Sequence, residues 1–369
     1  MAIKMLKSHN FFNIEYSLIV GTSITLQLLA YILYYVTDSY IFLGMYFLAI
    51  IPNLILLFRY KLSKSFIALI SILLLFFMAA SYMSQTYPLV INLYNIIYGI
   101  NSLIAAFLLY KNDEPEKYIK IVFWFLTAII YYHIFKFGLS NPDLYNEVFA
   151  KSSRNYVSAS YVIILCLLAL CYEKKKETVP LIYALLTTIA CVFLFGRSGI
   201  ALSFLITLFV LIRQKNYYLI GISTTVLAIV LLANLSLIEN FVFEKTNFST
   251  GLESERSIFL NEYLNHITYS TYDLFFGRSI NHCCTWITMF NGNPHNSFIM
   301  GHIRYGLLHT LFTLAILIYI ISSKNLTLIF FGLIILSRFF TDQLGLFTGF
   351  DIALYFLLFL VYQYKKYNR

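Results

Sequence analysis

The sequence predicts an all-α polytopic integral membrane protein of about 12 transmembrane helices with one large outer loop. Three observations predict it. Hydrophobic residues make up 60% of the 369 residues and charged residues only 12%, where soluble domains carry roughly 25% charged residues. Mean hydropathy is +0.76. The apolar residues also fall into runs near the length of about 20 residues that spans a bilayer, separated by short basic clusters. No polar stretch is long enough to build an extramembrane domain, so residues 1–369 read as a single integral membrane domain.

The runs can be taken in order. The first, 14–36, follows Lys4 and Lys7. No small-residue cleavage site follows it, so it reads as a retained anchor. Arg59, Lys61 and Lys64 divide the second (40–58) from the third (65–84). Lys111, Lys117 and Lys120 mark the turn from the fourth (88–110) to the fifth (119–137). The sixth (156–172) and seventh (178–195) flank Lys174, Lys175 and Lys176. Arg213 and Lys215 lie between the eighth (199–212) and ninth (217–235). Lys324 lies between the tenth (296–321) and eleventh (325–341), and the twelfth (351–364) ends before Lys365, Lys366 and Arg369.

These basic clusters all fall on one side if both termini are cytoplasmic, as the positive-inside rule requires. The net charge of +9 is therefore an orienting charge and not a face for nucleic acid. Nine of the 26 Lys and Arg fall elsewhere: Lys136, Lys151, Arg154, Arg197, Lys245, Arg256, Arg278, Arg304 and Arg338. Topology does not explain them, and the candidate residues come from this set. The five cysteines form no CxxC or Cys/His metal spacing, so no metal and no other cofactor is expected. Cys283 and Cys284 are adjacent in a loop; free thiols are expected, with a vicinal disulfide as the alternative.

Two outer segments are long: 138–155 and 236–295. The second holds Glu239, Glu244, Glu253, Glu255, Glu262 and Asp273. Polar and apolar residues alternate over 253–272, which reads as one or two short amphipathic helices on the membrane surface. The inner loops are short, so function is expected on the outer face.

Phe195-Gly196-Arg197-Ser198-Gly199 interrupts two apolar runs. An arginine at this depth needs partners or water, and a helix start offers free N–H groups and a positive dipole end. Together they suit a phosphate; the alternative is a snorkelling arginine in a tight turn. Arg256 stands in Glu253-Ser254-Glu255-Arg256, which also reads as an ordinary helix start. Asn293-Pro294-His295-Asn296-Ser297-Phe298 ends the loop, and Pro294 is expected to fix the start of the tenth helix. His295 would then stand at the outer boundary as a general base. His295, His302 and His309 recur every seven residues along one expected stripe, and the deeper two read as interior hydrogen-bonded histidines. Arg304, nine residues from His295, should face away from it. Arg338 and Asp342 read as a structural ion pair. Arg154, in the first long outer loop, could touch an anionic substrate; the alternative is an exposed loop arginine with no specific role.

In this order the pieces resemble the bacterial O-antigen polymerase and O-antigen ligase superfamily. The shared features are the Arg-Ser-Gly break, a late large loop opening on Ser254-Glu255-Arg256, and Leu274-Phe275-Phe276-Gly277 within it. Pro294-His295-Asn296-Ser297 then closes the loop, and Tyr305-Gly306-Leu307 follows in the next helix. The resemblance spans about residues 190–310; the N-terminal half agrees in hydropathy alone. Arg304, where relatives often carry an acid, and the Gly277-Arg278-Ser279 element, which lacks a second glycine, depart from the pattern.

The resemblance implies a metal-independent glycosyltransferase of the polytopic, lipid-linked-sugar (GT-C-type) class. It would sit in the bacterial inner membrane with its active site and large loop facing the periplasm. Donor and acceptor would be oligosaccharides on undecaprenyl diphosphate. Arg197 and Arg256 would bind the diphosphate and His295 would activate the acceptor hydroxyl, with Arg154, Arg278 and Arg304 as further candidates. A chain-length regulator and a flippase are the protein partners of such an enzyme. The richness in Phe (35) and Tyr (31) is similar to that of the variable polymerases, and favours a polymerase over a ligase that delivers the glycan to lipid A–core. A flippase or secondary transporter is the competing class. It would show two related halves and polar residues near the midplane; this chain has no evident half-to-half similarity, and its polar candidates gather on one face.

Overall fold

The computed structural model describes residues 2–60, 62–84, 86–138, 141–216, 218, 221, 255–267, 270–280, 283–290 and 292–367. Apart from residues 218 and 221, the predicted ninth span and the first part of the large loop, up to Ser254, lie outside the described residues.

The described chain is helical. It begins with α1 (Ala2–Thr37), α2 (Tyr40–Leu48), α3 (Ile50–Leu57), α4 (Lys64–Ser84), α5 (Leu89–Lys111) and α6 (Pro115–Phe137). A 3-10 turn (Pro142–Glu147) leads to α7 (Arg154–Lys174), α8 (Leu181–Phe193) and α9 (Arg197–Arg213). The large loop contributes α10 (Glu255–Ile267), α11 (Thr271–Phe276) and α12 (Thr285–Met289). The chain then runs through α13 (Ser297–Tyr305), α14 (Leu307–Ile321), α15 (Leu326–Thr341) and α16 (Asp351–Tyr367). The expected amphipathic stretch, 253–272, thus contains α10 and the first two residues of α11.

Among the described residues, six helical segments are long and apolar enough to cross a membrane: Tyr16–Thr37, Tyr40–Leu57, Lys64–Ser84, Leu89–Lys111, Pro115–Phe137 and Arg154–Lys174. This corrects the expectation of about 12 and leaves an all-α chain with several long apolar helices, as in a polytopic membrane protein. These six match the first six predicted spans. The later described runs form shorter helices, and two of them are broken by the chain itself. The seventh ends at Phe193, and Phe195 turns the chain with a φ of 56°. The tenth splits at Gly306, whose φ is +60°.

The Gly306 break has a steric cause. A Cβ built there would sit 2.0 Å from the Phe275 carbonyl oxygen, and one on Gly277 would sit 2.3 Å from the Ile303 carbonyl oxygen. The end of α11 therefore lies backbone to backbone on the α13–α14 junction, and two motifs some thirty residues apart in the chain meet where only glycine fits. Gly306→Ala should cost about 1–3 kcal/mol through its backbone conformation alone, with the clash in addition. The expected result is a lowered unfolding temperature and less monodisperse protein after detergent extraction; a variant as stable as the parent would show that α11 does not need this contact.

The break also corrects the histidine stripe. The helix starts at Ser297, not at Pro294, and Asn296 caps it by accepting from the N–H groups of Phe298 (2.8 Å) and Ile299 (3.1 Å). His295 precedes the cap, with a φ of 48°. His302 is an interior hydrogen-bonded histidine as expected. Its Nε2 donates to the Leu274 carbonyl at 2.9 Å, and its Nδ1 therefore accepts from the Tyr263 hydroxyl at 2.8 Å. His309 lies beyond the break with its ring against Gly301. It is buried and neither ring nitrogen has a hydrogen-bond partner, contrary to the expectation for it.

The chain's reversals place functional segments together. The C-terminal end of α1, the start of α5, the starts of α7, α9, α13 and α16, and the end of α15 meet at one end of the bundle. Tyr156 donates to the Tyr35 hydroxyl at 2.8 Å, and Ser102 to the Thr348 carbonyl at 2.8 Å. The opposite end gathers basic loops: Lys175 pairs with Glu116 at 2.5 Å and Arg213 with Glu173 at 3.0 Å. α7 stands at the centre, packed on α6, α15 and α16, with 94% of its apolar window buried, against 17% for the windows over α2–α3 and α4. Cys283 and Cys284 form a vicinal disulfide, correcting the expectation of free thiols; it closes the turn between α11 and α12.

Candidate functional site

Asp342, at the end of α15, organises the candidate site. Its Oδ1 pairs with Arg256 Nη2 at 3.0 Å and its Oδ2 with Arg338 Nη2 at 3.1 Å. The expected Arg338–Asp342 pair is thus present, and it has a third member from the large loop. Arg338 is fully buried, Asp342 is 4% exposed and Arg256 is 30% exposed. The trio therefore grades from the interior to the rim.

Arg338 ties three helices together. It donates to Ser198 Oγ at 2.6 Å, to the Asn155 carbonyl at 3.1 Å and to Ser158 Oγ at 3.4 Å. Ser198 belongs to the Gly196-Arg197-Ser198 break, so the same contact fixes the start of α9. Arg197 opens that helix. Burial and the nearby charge of Arg256 both oppose its own charge. Arg197 and Arg256, 59 positions apart in sequence, are therefore neighbours. Two guanidinium groups thus share one carboxylate, and the third lies near Arg256 at a helix N-terminus.

His295 reaches the same region from the loop's far end. Its ring stacks on Phe259 with centroids 6.1 Å apart and meets the Phe290 edge at 6.2 Å. Phe259 is one turn beyond Arg256 on α10, so both project from one face of that helix. The His295 N–H donates to Asn293 Oδ1 at 2.8 Å. Two residues on, Ser297 Oγ donates to the Asp342 carbonyl at 2.8 Å and accepts from the N–H groups of Leu344 and Gly345, both at 3.0 Å. The His295 backbone and the arginine cluster therefore share one support.

The further candidates are placed differently. Arg154 starts α7, lies 3.6 Å from Asp143 and faces the Phe195 ring at 6.0 Å, beside the Arg197 break. Arg278 lies 4.0 Å from Asp273 within the loop. Arg304 stands apart from the cluster, over the Tyr87 ring at 5.2 Å. It lines a cavity of about 160 Å³ at the same end of the bundle. Tyrosines of α1 and α5 (Tyr31, Tyr34, Tyr35, Tyr94 and Tyr98) form one wall, and Ser297, Tyr305 and the 343–348 segment form the other. Asp351 shapes that segment by accepting from the N–H groups of Leu346, Phe347 and Thr348.

Sequence reasoning missed the link from Arg256 to Asp342, the polar seat made by Asn155, Ser158 and Ser198, and the tyrosine cavity. One signal was available: tyrosines at 31, 34 and 35 and at 94 and 98 recur at helical spacing on two predicted spans. No group of three or more potential metal ligands occurs among the described residues.

No known protein family, curated protein or solved structure matches this chain.

Proposed function

We propose that this chain is an O-antigen (surface polysaccharide) polymerase. It transfers a growing glycan from undecaprenyl diphosphate to the sugar of another undecaprenyl-diphosphate-linked repeat unit. The observation that carries the reading is the Asp342 carboxylate shared by Arg256 and Arg338, with Arg197 near Arg256 and the His295 ring on Phe259, one turn along the same helix.

The chemistry needs these parts. The acceptor hydroxyl oxygen attacks the anomeric carbon of the donor sugar. The bond from that carbon to the diphosphate oxygen breaks, and the diphosphate leaves with the electron pair. Arg197 and Arg256 stabilise the charge that grows on it, since guanidinium matches phosphate oxygens with two parallel hydrogen bonds. His295 takes the hydroxyl proton as the new glycosidic bond forms. The leaving group is already good, so no second carboxylate is needed for acid catalysis. Arg338 is too buried to touch the substrate and serves by positioning Asp342 and the start of α9. On this reading the protein lies in the bacterial inner membrane with both termini cytoplasmic and the site facing the periplasm. It works there beside a flippase and a chain-length regulator.

A deletion strain tests the reaction. Lipopolysaccharide capped by one repeat unit is the expected phenotype. Bare core with accumulated lipid-linked polymer indicates the ligase instead, and an unchanged polymer ladder overturns both. In the same strain, Arg197→Ala or Arg256→Ala should lower polymer by about a hundredfold or more with the protein still in the membrane. Lys at either position should restore only part of it, because an ammonium cannot copy the two-pronged contact. Full activity of an Ala variant removes that arginine from the site.

A further inference from the structure

We infer that the tyrosine-lined cavity is a subsite for a sugar ring carrying a carboxylate, with Arg304 holding the acid. The inference rests on the glycan-transfer reading only for the ligand being a sugar.

The size fits one ring. The cavity measures about 160 Å³ and is open on one side; an apolar cavity of about 150 Å³ holds one benzene, so a pyranose ring fits with its substituents reaching into the opening. Its walls differ from those of an apolar void. Hydroxyls of Tyr31 and Tyr35 lie 3.4 Å apart, and those of Tyr94 and Tyr98 lie 3.3 Å apart. Tyr156 fixes the Tyr35 hydroxyl from behind, with its ring stacked on Tyr35 at 4.7 Å. The amides of Asn95 and Gln343 also line the space. Rigid aromatic faces with a few convergent polar groups suit a ring that is apolar on its faces and hydroxylated at its edge.

Arg304 adds the charge preference. Its Nε is buried and has no hydrogen-bond partner, and it forms no ion pair among the described residues. Its neighbours are the Tyr87 ring, which supplies no anion, and Tyr305. A guanidinium away from bulk water is stabilised by an anion with matching geometry, and a carboxylate accepts two of its N–H groups side by side. The cavity also shares Ser297 with the Asp342 cluster. A sugar held there therefore lies next to the proposed diphosphate site.

The test uses the purified full-length chain in detergent and calorimetric titration with simple glycosides. Methyl glycosides of glucuronic acid, galacturonic acid and N-acetylneuraminic acid are compared with methyl glucoside and methyl galactoside. At least one acidic glycoside should bind about tenfold or more tightly than the neutral ones, the scale of a charge-assisted hydrogen-bond pair. Arg304→Gln should remove the preference. Gln343→Glu, which leaves Arg304 in place and adds a competing carboxylate to the wall, should remove it too; each variant is first checked for monodisperse elution. Equal binding of acidic and neutral glycosides, no binding of any, a preference that survives Arg304→Gln, or displacement by inorganic phosphate as effective as by the acidic sugar overturns the inference. The measurement requires no turnover, so a deletion strain with normal polysaccharide sinks the polymerase reading and leaves the binding result standing.

Discussion

His295→Gln should yield a folded enzyme that binds donor and transfers almost nothing. General-base catalysis contributes about 10²–10⁴ in rate, and a glutamine amide cannot accept the proton. The geometry separates this from a packing role. The His295 ring lies against Phe259 and Phe290, and a planar amide of similar reach fills most of that space. The backbone at His295 is left-handed, with a φ of 48°, but histidine and glutamine are both L residues with one hydrogen on the α carbon, so the substitution adds little strain there. Donor binding should persist because, on the polymerase reading, the arginines provide it. The decisive assay is elongation of lipid-linked repeat units by purified protein. A His295→Gln enzyme working at near wild-type rate would refute the base assignment and leave His295 as a residue that positions the start of α13.

Arg338→Ala should act through the fold. Its guanidinium is fully buried and contacts Asp342, Ser198, Asn155 and Ser158. Removing one partner of a buried ion pair costs about 3–5 kcal/mol, and total stability for a domain is about 5–15 kcal/mol. Most of the margin is at stake. The start of α9, the first turn of α7 and the end of α15 lose their common anchor together. The expected result is a large drop in folded, membrane-inserted protein, read by detergent extraction and size-exclusion elution. Arg256→Ala, on the same carboxylate, provides the contrast. Arg256 is 30% exposed and Asp342 keeps Arg338, so the fold should survive while transfer is lost. Equal extraction yields and unfolding temperatures for Arg338→Ala and wild type would contradict the structural role.

The sequence makes the first half of the architecture legible because each of the first six runs is long, apolar and bounded by charge or a turn. The second half is less legible for a physical reason. Its runs are as apolar, but Gly306 and Phe195 impose backbone conformations that no hydropathy window registers. The histidine repeat misled in the same way: a spacing of seven has meaning only along an unbroken helix. For the site, charge placement isolated Arg197 and Arg256 as basic residues without a topological reason. It could not show that Asp342 lies between Arg256 and Arg338, because that contact spans 86 positions. Arg338 and Asp342 were readable as a pair only because four positions make one helical turn. The tyrosine wall draws on α1 and α5, far from every motif, and depends on how those helices pack.

The burial of α7 has a consequence for the membrane itself. A helix enclosed by other helices feels protein on every side, and the thickness of the surrounding bilayer does not reach it directly. Mismatch between protein and lipid is absorbed instead by the outer helices, above all α2–α4, whose apolar side chains face outward. Asn155 and Ser158 ride on the first turn of α7, and Arg338 is held against them. The height of the arginine cluster is thus set by protein contacts, and the cluster keeps its geometry when acyl chains lengthen or shorten with growth temperature.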